Sequence, residues 1–399
     1  MADTSNVVIF GKIQVEAANS NNGSASGVGS TAGTNGYRSA KINSSQNTEL
    51  GFKGTEDLGN GLSAIWQVAV DVRVDGTDST ATAVSGQNFG SRNTYAGLAS
   101  KTVGTVILGK HDTPYKTSTG PLDLFTGTSA DYNTLMGSNG FTVASSTTST
   151  TAPTFDARPG NLVMYTSPKF NGFDVKAAWS ATNETNTTAN SGSVTNKGNI
   201  WSLSANYANG PIFATFAHEE QKAARNNLAS STTLVGYSAT NQAVKGKATK
   251  LGFGYNFGAT KVGVIWERVK DNANAASNAT DYSGFGLTNS RDRKAWYLGA
   301  AHSIGKTTMK LAYTHMGDMD GLSESGAKQW ALGADYAFSK RTSVYALYTK
   351  MSNERNAAYS LGQGGTSLGT NVAGTTGGAG TASGGADPSA LAVGMIHTF

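Results

Sequence analysis

The chain has 399 residues, with 50 glycines, 7 prolines and no cysteine, and its hydrophobic (38%) and charged (14%) fractions are low for an ordinary soluble globule. The lack of cysteine excludes a disulfide scaffold and a thiolate metal site. The formal charge of +5 is spread along the chain without a Lys/Arg block, which leaves no footprint for nucleic acid.

No apolar run nears ~18 residues, so no transmembrane helix is expected. No secretory leader is visible, and Met1-Ala2-Asp3 reads as an initiator methionine ahead of a mature, exported sequence. Segments of about ten residues instead alternate apolar and polar, the length a tilted strand needs to cross a bilayer. Trp66, Val68 and Val70 alternate with Gln67, Ala69 and Asp71. Phe173, Val175 and Trp179 alternate with Asp174, Lys176 and Ser180, and Trp201, Leu203 and Tyr207 with Ser202, Ser204 and Asn206. Further on, Leu251, Phe253, Tyr255 and Phe257 alternate with Lys250, Gly252, Gly254 and Asn256. Met309, Leu311 and Tyr313 then alternate with Lys310, Ala312 and Thr314, and Trp330, Leu332, Tyr336 and Phe338 with Gln329, Ala331, Gly333 and Asp335. In the closing stretch Ala390–Phe399, Leu391, Val393, Met395, His397 and Phe399 share one parity, so this strand ends on a large aromatic. Parity alone does not separate a soluble sandwich from a membrane barrel.

The connections do separate them. Short turns are expected at Glu56–Asn60, Lys101–Gly104, Lys169–Gly172, Asn209–Gly210, Gly258–Thr260, Ile304–Lys306 and Ser339–Arg341. Long loops are expected at about 18–36, 75–90, 112–158, 183–198, 221–246, 271–292, 317–325 and 354–388. Seven turns and eight loops give sixteen strands, and this alternation is the pattern of an outer-membrane barrel with periplasmic turns and external loops. Phe170, Phe173, Tyr207, Phe257, Phe338 and Phe399 gather at the short-turn level, where an aromatic girdle belongs, although aromatics also favour strands in general.

Most long loops are Gly/Ser/Asn-rich and could build no core. Loop 112–158 differs. It carries the apolar anchors Leu122, Leu124, Phe125, Leu135, Met136 and Phe141 together with Asp112, Asp123, Asp131 and Asp156. A loop folded into a barrel needs such anchors and would narrow the lumen.

The run Leu50–Gln67 (LGFKGTEDLGNGLSAIWQ) resembles the strand–turn–strand signature of the general porins of Neisseria and other β-proteobacteria. Arg92–Leu98 (RNTYAGL), Gly104–Lys110 (GTVILGK), Tyr165–Phe173 (YTSPKFNGF), Tyr336–Thr342 (YAFSKRT) and the terminal His397-Thr398-Phe399 follow in family order. The resemblance implies an all-β fold, a sixteen-stranded antiparallel transmembrane barrel with loop 3 folded into the lumen, in a single domain spanning residues 1–399. It further implies a homotrimeric diffusion channel of the bacterial outer membrane, with outer-membrane lipid, lipopolysaccharide and small ions or solutes as its other partners and no cofactor. Its constriction would set the loop-3 acids Asp112, Asp123, Asp131 and Asp156 against Arg92, Arg158 and Lys53 on the wall. Lys110 follows the family's basic position with its orientation open. Strand parity adds Asp71 and Arg73, and Arg38 stands just ahead of strand 2. Phe399 is implied to be the residue read by the insertion machinery. Glu49 stands where many relatives have a basic residue, Met164 replaces another, and the loop-3 PEFG-like motif is missing. These departures bear on the strength and sign of an expected anion preference.

Catalytic motifs are not found. Gly305-Lys306-Thr307 lacks a P-loop's leading glycine at the right spacing. His111, His218, His302, His315 and His397 show no HExxH or ligand spacing, so no metal is expected. Two alternatives to a passive channel stand beside it: a substrate-selective channel of the same fold, which predicts saturable solute block, and a non-channel surface β-protein acting as an adhesin, which predicts solubility without detergent.

Overall fold

The computed structural model describes residues 6–21, 23, 38–44, 47–72, 74, 89–137, 155–182, 198–222, 245–272, 292–321, 323–357, 359–362 and 385–399. Period-two sequence becomes antiparallel ladder throughout. The strands are β1 (Asn6–Asn21), β2 (Arg38–Ser44), β3 (Glu49–Gly59), β4 (Leu62–Asp71), β5 (Thr94–Ser100), β6 (Gly104–Lys110), β7 (Leu162–Thr166), β8 (Phe173–Thr182) and β9 (Gly198–Asn209). They continue with β10 (Ile212–Lys222), β11 (Lys245–Asn256), β12 (Thr260–Asn272), β13 (Arg293–Ile304), β14 (Thr307–Met316), β15 (Ala327–Ala337), β16 (Thr342–Asn353) and β17 (Ser389–Thr398). Apart from β2 with β3, consecutive strands pair with each other, and β17 pairs back onto β1, so the sheet closes on itself. β2 and β3 share one stave. Both pair with β1, and the register slips by two residues between them. Thr48 bridges the break, its Oγ1 accepting from Gln14 N–H (3.0 Å) and donating to the Gln14 carbonyl (2.8 Å). The architecture is thus a closed antiparallel barrel of sixteen staves.

Outward and inward parities separate cleanly. Trp66, Leu108, Val175, Trp201, Leu251, Val264, Leu311, Trp330 and Val393 are exposed on one face. Gln14, Ser204, Lys250, Glu267, Thr314, Gln329 and Thr349 are buried on the other. Only a lipid-facing exterior and a polar interior reconcile an apolar outside with a closed ladder. Aromatic side chains bound the apolar belt. At the short-turn rim Phe173 packs on Tyr207 (4.5 Å), Tyr255 on Phe257 (4.5 Å) and Tyr336 on Phe338 (5.2 Å). At the other rim Trp179 meets Trp201, and Tyr313 meets both Trp296 and Trp330. Eight residues separate Trp330 from Phe338. At ~3.4 Å rise and ~40° tilt that is roughly 21 Å of belt, close to the ~25 Å such barrels present.

The short turns use residues that accept positive φ. Asn60-Gly61 (φ 52°, 75°) and Asn171-Gly172 (φ 49°, 89°) fit a turn whose twist matches its strands. Several boundaries differ from expectation by a few residues, two of them for a local reason. β3 runs on to Gly59, so the turn expected at Glu56–Asn60 contracts to 60–61. β1 runs to Asn21, past the expected loop start at 18, because Asn19, Ser20 and Asn21 are held between β17 and β2 despite their loop-like composition. The remainder of loop 18–36, and most of the other long loops, lie outside the described residues.

The closing β17–β1 ladder ends on a close contact. Gly11 N–H donates to the Phe399 carbonyl (3.0 Å), and Phe399 N–H donates back to Gly11 (3.0 Å). A Cβ at Gly11 would overlap the Phe399 ring. Gly11→Val is therefore expected to destabilise the barrel by about 1–3 kcal/mol through overpacking. The unboiled protein should lose its compact gel mobility at a lower temperature than the parent. An unchanged transition would show that the seam does not depend on this fit.

Candidate functional site

The segment between β6 and β7 contains a short helix α1 (Pro114–Ser118) and two 3-10 turns, Gly120–Leu122 and Tyr132–Thr134. Its hydrogen bonds reach across the barrel. Gln14 Nε2 of β1 donates to the Thr126 and Gly127 carbonyls (both 3.1 Å), and Lys310 Nζ of β14 donates to Leu124 O (2.8 Å). Tyr115 N–H donates to Ser202 Oγ of β9 (3.0 Å), and Tyr115 OH donates to Glu267 Oε1 of β12 (2.6 Å). Thr134 bonds Gln329 of β15. A segment rooted between β6 and β7 that touches inward side chains of β1, β9, β12, β14 and β15 lies across the inside of the barrel. Missing side chains let it come close. Leu122 seats against inward Gly252 and Gly254, where any Cβ would crowd its methyls.

A buried ion pair pins this segment. Lys250 Nζ of β11 sits 2.6 and 2.7 Å from the two Asp156 oxygens, fully buried, with its ammonium 4.4 Å from the Tyr115 ring centroid. Asn133 Nδ2 also donates to Asp156 (2.6 Å). Lys250 went unflagged in the sequence because one lysine on the polar parity of a strand looks like any lumenal charge. Its only signal was its position among the small residues Gly252 and Gly254.

The expected site residues part company here. Arg92 is nearly buried beside β5, with Nε 3.0 Å from Glu49 and one terminal nitrogen 3.1 Å from Asp71. Glu49, the departure from the family's basic residue, is thus a direct partner of Arg92. Arg158 lies 3.0 Å from Asp112, whose same oxygen is 2.8 Å from Lys116 of α1, and Asn93 joins the group by accepting from Arg158 Nε (2.9 Å). Burial alone would raise the Asp112 carboxyl, but Lys116 and then Arg158 hold it well below the usual carboxylate range. Lys53 stands on the inward parity, 5.0 Å above the Phe10 ring. Lys12 and Lys176, not singled out in the sequence, share that inward face on β1 and β8.

Other candidates do not join this cluster. Lys110 falls on the parity of the exposed Val106 and Leu108, so it points away from the lumen, which removes it from the constriction set. Asp131 is buried and accepts from Gly127 N–H (2.7 Å) and Asn133 N–H (2.8 Å), and Asp123 accepts from Phe125 N–H and Thr126 Oγ1. With Asp156 committed to Lys250, these three acids hold the loop's own shape rather than presenting free charge to the water. Met164 packs inside with Ile107, Leu162 and Ala178. Arg73 lies outside the described residues, and of Arg38 only the backbone, paired with Asn21, lies within them. Among the described residues no group of His, Asp or Glu is arranged to hold a metal.

A closed lipid-facing barrel with a loop across its lumen and charged side chains on its inner wall defines a narrowed, polar cross-section for water and ions. The family model for Gram-negative porins matches residues 1–356. The chain belongs to the Gram-negative porin family. The porin is 28% identical over 397 residues to outer membrane porin protein 32 of Delftia acidovorans, covering 99% of this chain and 94% of that protein. It is 26% identical over 306 residues to major outer membrane protein P.IB of Neisseria gonorrhoeae, covering 74% and 75% of the two chains. In fold it is similar to the anion-selective porin from Comamonas acidovorans, with TM-score 0.69, 24% identity, and 99% and 100% coverage. The porin is an outer-membrane diffusion channel, and the family's members are passive channels rather than enzymes.

Lys250→Met would leave Asp156 buried without its cation, at a cost of about 3–5 kcal/mol. The expected result is a noisier open-channel current as the loop loosens. Adding Asp156→Asn should restore a quiet trace, and equal noise in parent and single variant would count against the anchor.

Proposed function

We propose that this porin passes small hydrophilic solutes and ions with a modest preference for anions, set where the loop faces the wall of β1–β8. One observation carries the reading. Lys12, Lys53 and Lys176 stand on the inward face and form no ion pair among the described residues. Most neighbouring carboxylates are engaged by cations: Glu49 and Asp71 by Arg92, Asp112 by Lys116 and Arg158, and Asp335 by Lys310 at 2.8 Å, while Asp174 of β8 accepts from Asn206 Nδ2 (2.9 Å) and offsets part of the lysine charge. Paired charges cancel at a distance, whereas unpaired lysines leave a positive potential in the lumenal water. The anion selectivity named for the similar Comamonas porin points the same way. Assembly as a homotrimer, the form porin homologues take, and recognition of Phe399 during insertion belong to the same proposal.

Reversal potentials across a KCl gradient test the preference. One charge reversal ~10 Å from the ion path is worth about 0.4 kcal/mol per unit charge in water before screening. Lys53→Glu should therefore lower the anion-over-cation ratio roughly threefold at ~0.1 M salt. Glu49→Gln should raise it by somewhat under twofold. Both effects should fade at ~1 M, where the Debye length is about 3 Å. A cation-preferring parent channel would overturn the reading, and saturable block by one solute would favour the substrate-selective alternative.

The Asp112 bridge should add no pH dependence to this preference between pH 5 and 9. Asp112's folded value is depressed, so its bridge to Lys116 and Arg158 is at full strength above the ordinary carboxylate value of about 3.9 and is lost only as pH falls through the lower folded value. Arginine stays charged across this range. A selectivity step near neutral pH would point to a titrating group other than this cluster.

A further inference from the structure

The lumenal wall of β4–β8 carries an apolar patch between the Asp112–Arg158 cluster and the short-turn rim. Two adjacent inward rungs make it. One runs through Ile65, Gly97, Ile107, Met164 and Ala178, from β4 to β8. The next runs through Tyr95, Gly109 and Leu162, from β5 to β7. Ile107, Leu162, Met164 and Ala178 pack into one buried floor, and half-buried Ile65 and Tyr95 pack against its edge. The two glycines keep the floor low. A Cβ at Gly97 would overlap Ile107, and one at Gly109 would crowd the Tyr95 backbone. Tyr95 stands one inward position below Asn93, which bonds Arg158 and Asp112, and its ring lies 5.5 Å from that of His111. A polar, water-filled lumen has no structural need of such a surface on its wall.

Lysines bracket the patch. Diagonal neighbours across a ladder lie about 7–8 Å apart. Lys53 pairs with Gln67 and is thus diagonal to Ile65 at one edge. Lys176 pairs with Thr166 and is thus diagonal to Met164 at the other. Neither forms an ion pair among the described residues. Asp174, one inward position below Lys176, accepts from Asn206. Lys53 is exposed, and its flexible stem can turn from the Phe10 ring it covers toward a ligand.

We infer that this wall is a transit site for small organic anions that carry a carboxylate on an apolar body. The inference deepens the proposed anion preference and rests on it. The charge is complementary at both edges, and the patch offers what an inorganic anion cannot use. The carboxylate meets Lys53 or Lys176 while the apolar body lies along Ile65 and Tyr95. Covering ~60 Å² of apolar surface favours the bound state roughly tenfold. A gain of that size adds a class preference to a passive channel and still lets the solute leave.

The test uses the refolded full chain in planar bilayers bathed in KCl. Benzoate is the probe. Acetate supplies the same carboxylate without the apolar body, and benzamide supplies the ring without the charge. Each is added to both sides, and the half-blocking concentration is read from the loss of single-channel current. Benzoate is expected to block at a concentration about tenfold below acetate, and benzamide should not block. Ile65→Thr/Tyr95→Thr should bring the two carboxylates within about twofold of each other. Lys176→Gln should weaken block by both carboxylates about threefold. Equal block by benzoate and acetate in the parent, benzamide block matching that of benzoate, or a parent-like benzoate-to-acetate ratio in the Ile65/Tyr95 variant would each overturn the inference. The parent comparison needs no variant, so it stands even where a variant fails to refold. A cation-preferring reversal potential in the parent would instead sink the anion reading beneath it.

Discussion

Every backbone N–H and C=O in the bilayer must find a partner within the protein, because hydrocarbon offers none. That requirement makes the pairing of β17 with β1 the contact on which the structure depends. With the seam open, two edges would face lipid unpaired. With it closed, each strand position is committed to lipid or lumen. The fit of the Phe399 ring over Gly11 is therefore more than local packing, since it sits where the last ladder bonds are made.

Closure also explains how the interior charges divide. A sealed lumen narrowed by a loop needs buried anchors to hold that loop, and Lys250 with Asp156 supplies one at the loop's far end. Such a pair is fully desolvated and has little field left for a passing ion. On the wall of β1–β8 the arginines are partly or wholly offset by Glu49, Asp71 and Asp112, whereas Lys12, Lys53 and Lys176 form no ion pair among the described residues. In the proposed function, charge that fixes the loop and charge that biases transport are carried by different residues.

Much of the fold was legible in the chain. Alternation at Trp330–Phe338 or Leu251–Phe257 translates directly into lipid-facing and lumenal positions, because the period of a strand is a local property. Turn chemistry at Asn60-Gly61 is equally local. Less legible was the break at Thr48, where a side chain replaces ladder bonds, and the reach of β1 through Asn19–Asn21, whose polar composition imitates a loop. Of the candidate site, Arg92, Arg158, Lys53 and Asp112 gather on the lumenal wall, whereas Lys110 turns outward and Asp123, Asp131 and Asp156 turn into the loop's own framework. Their chemistry was visible in the sequence, but their partners were not.

The sequence by itself determined the barrel, the stave pattern and the family, since all of these follow from spacing along the chain and from short motifs. Only the tertiary structure decided which charges neutralise one another. Glu49 and Arg92 are 43 residues apart, and Asp156 and Lys250 are 94. Coulomb energy depends on distances through space of a few ångströms, and no local pattern in the chain encodes them.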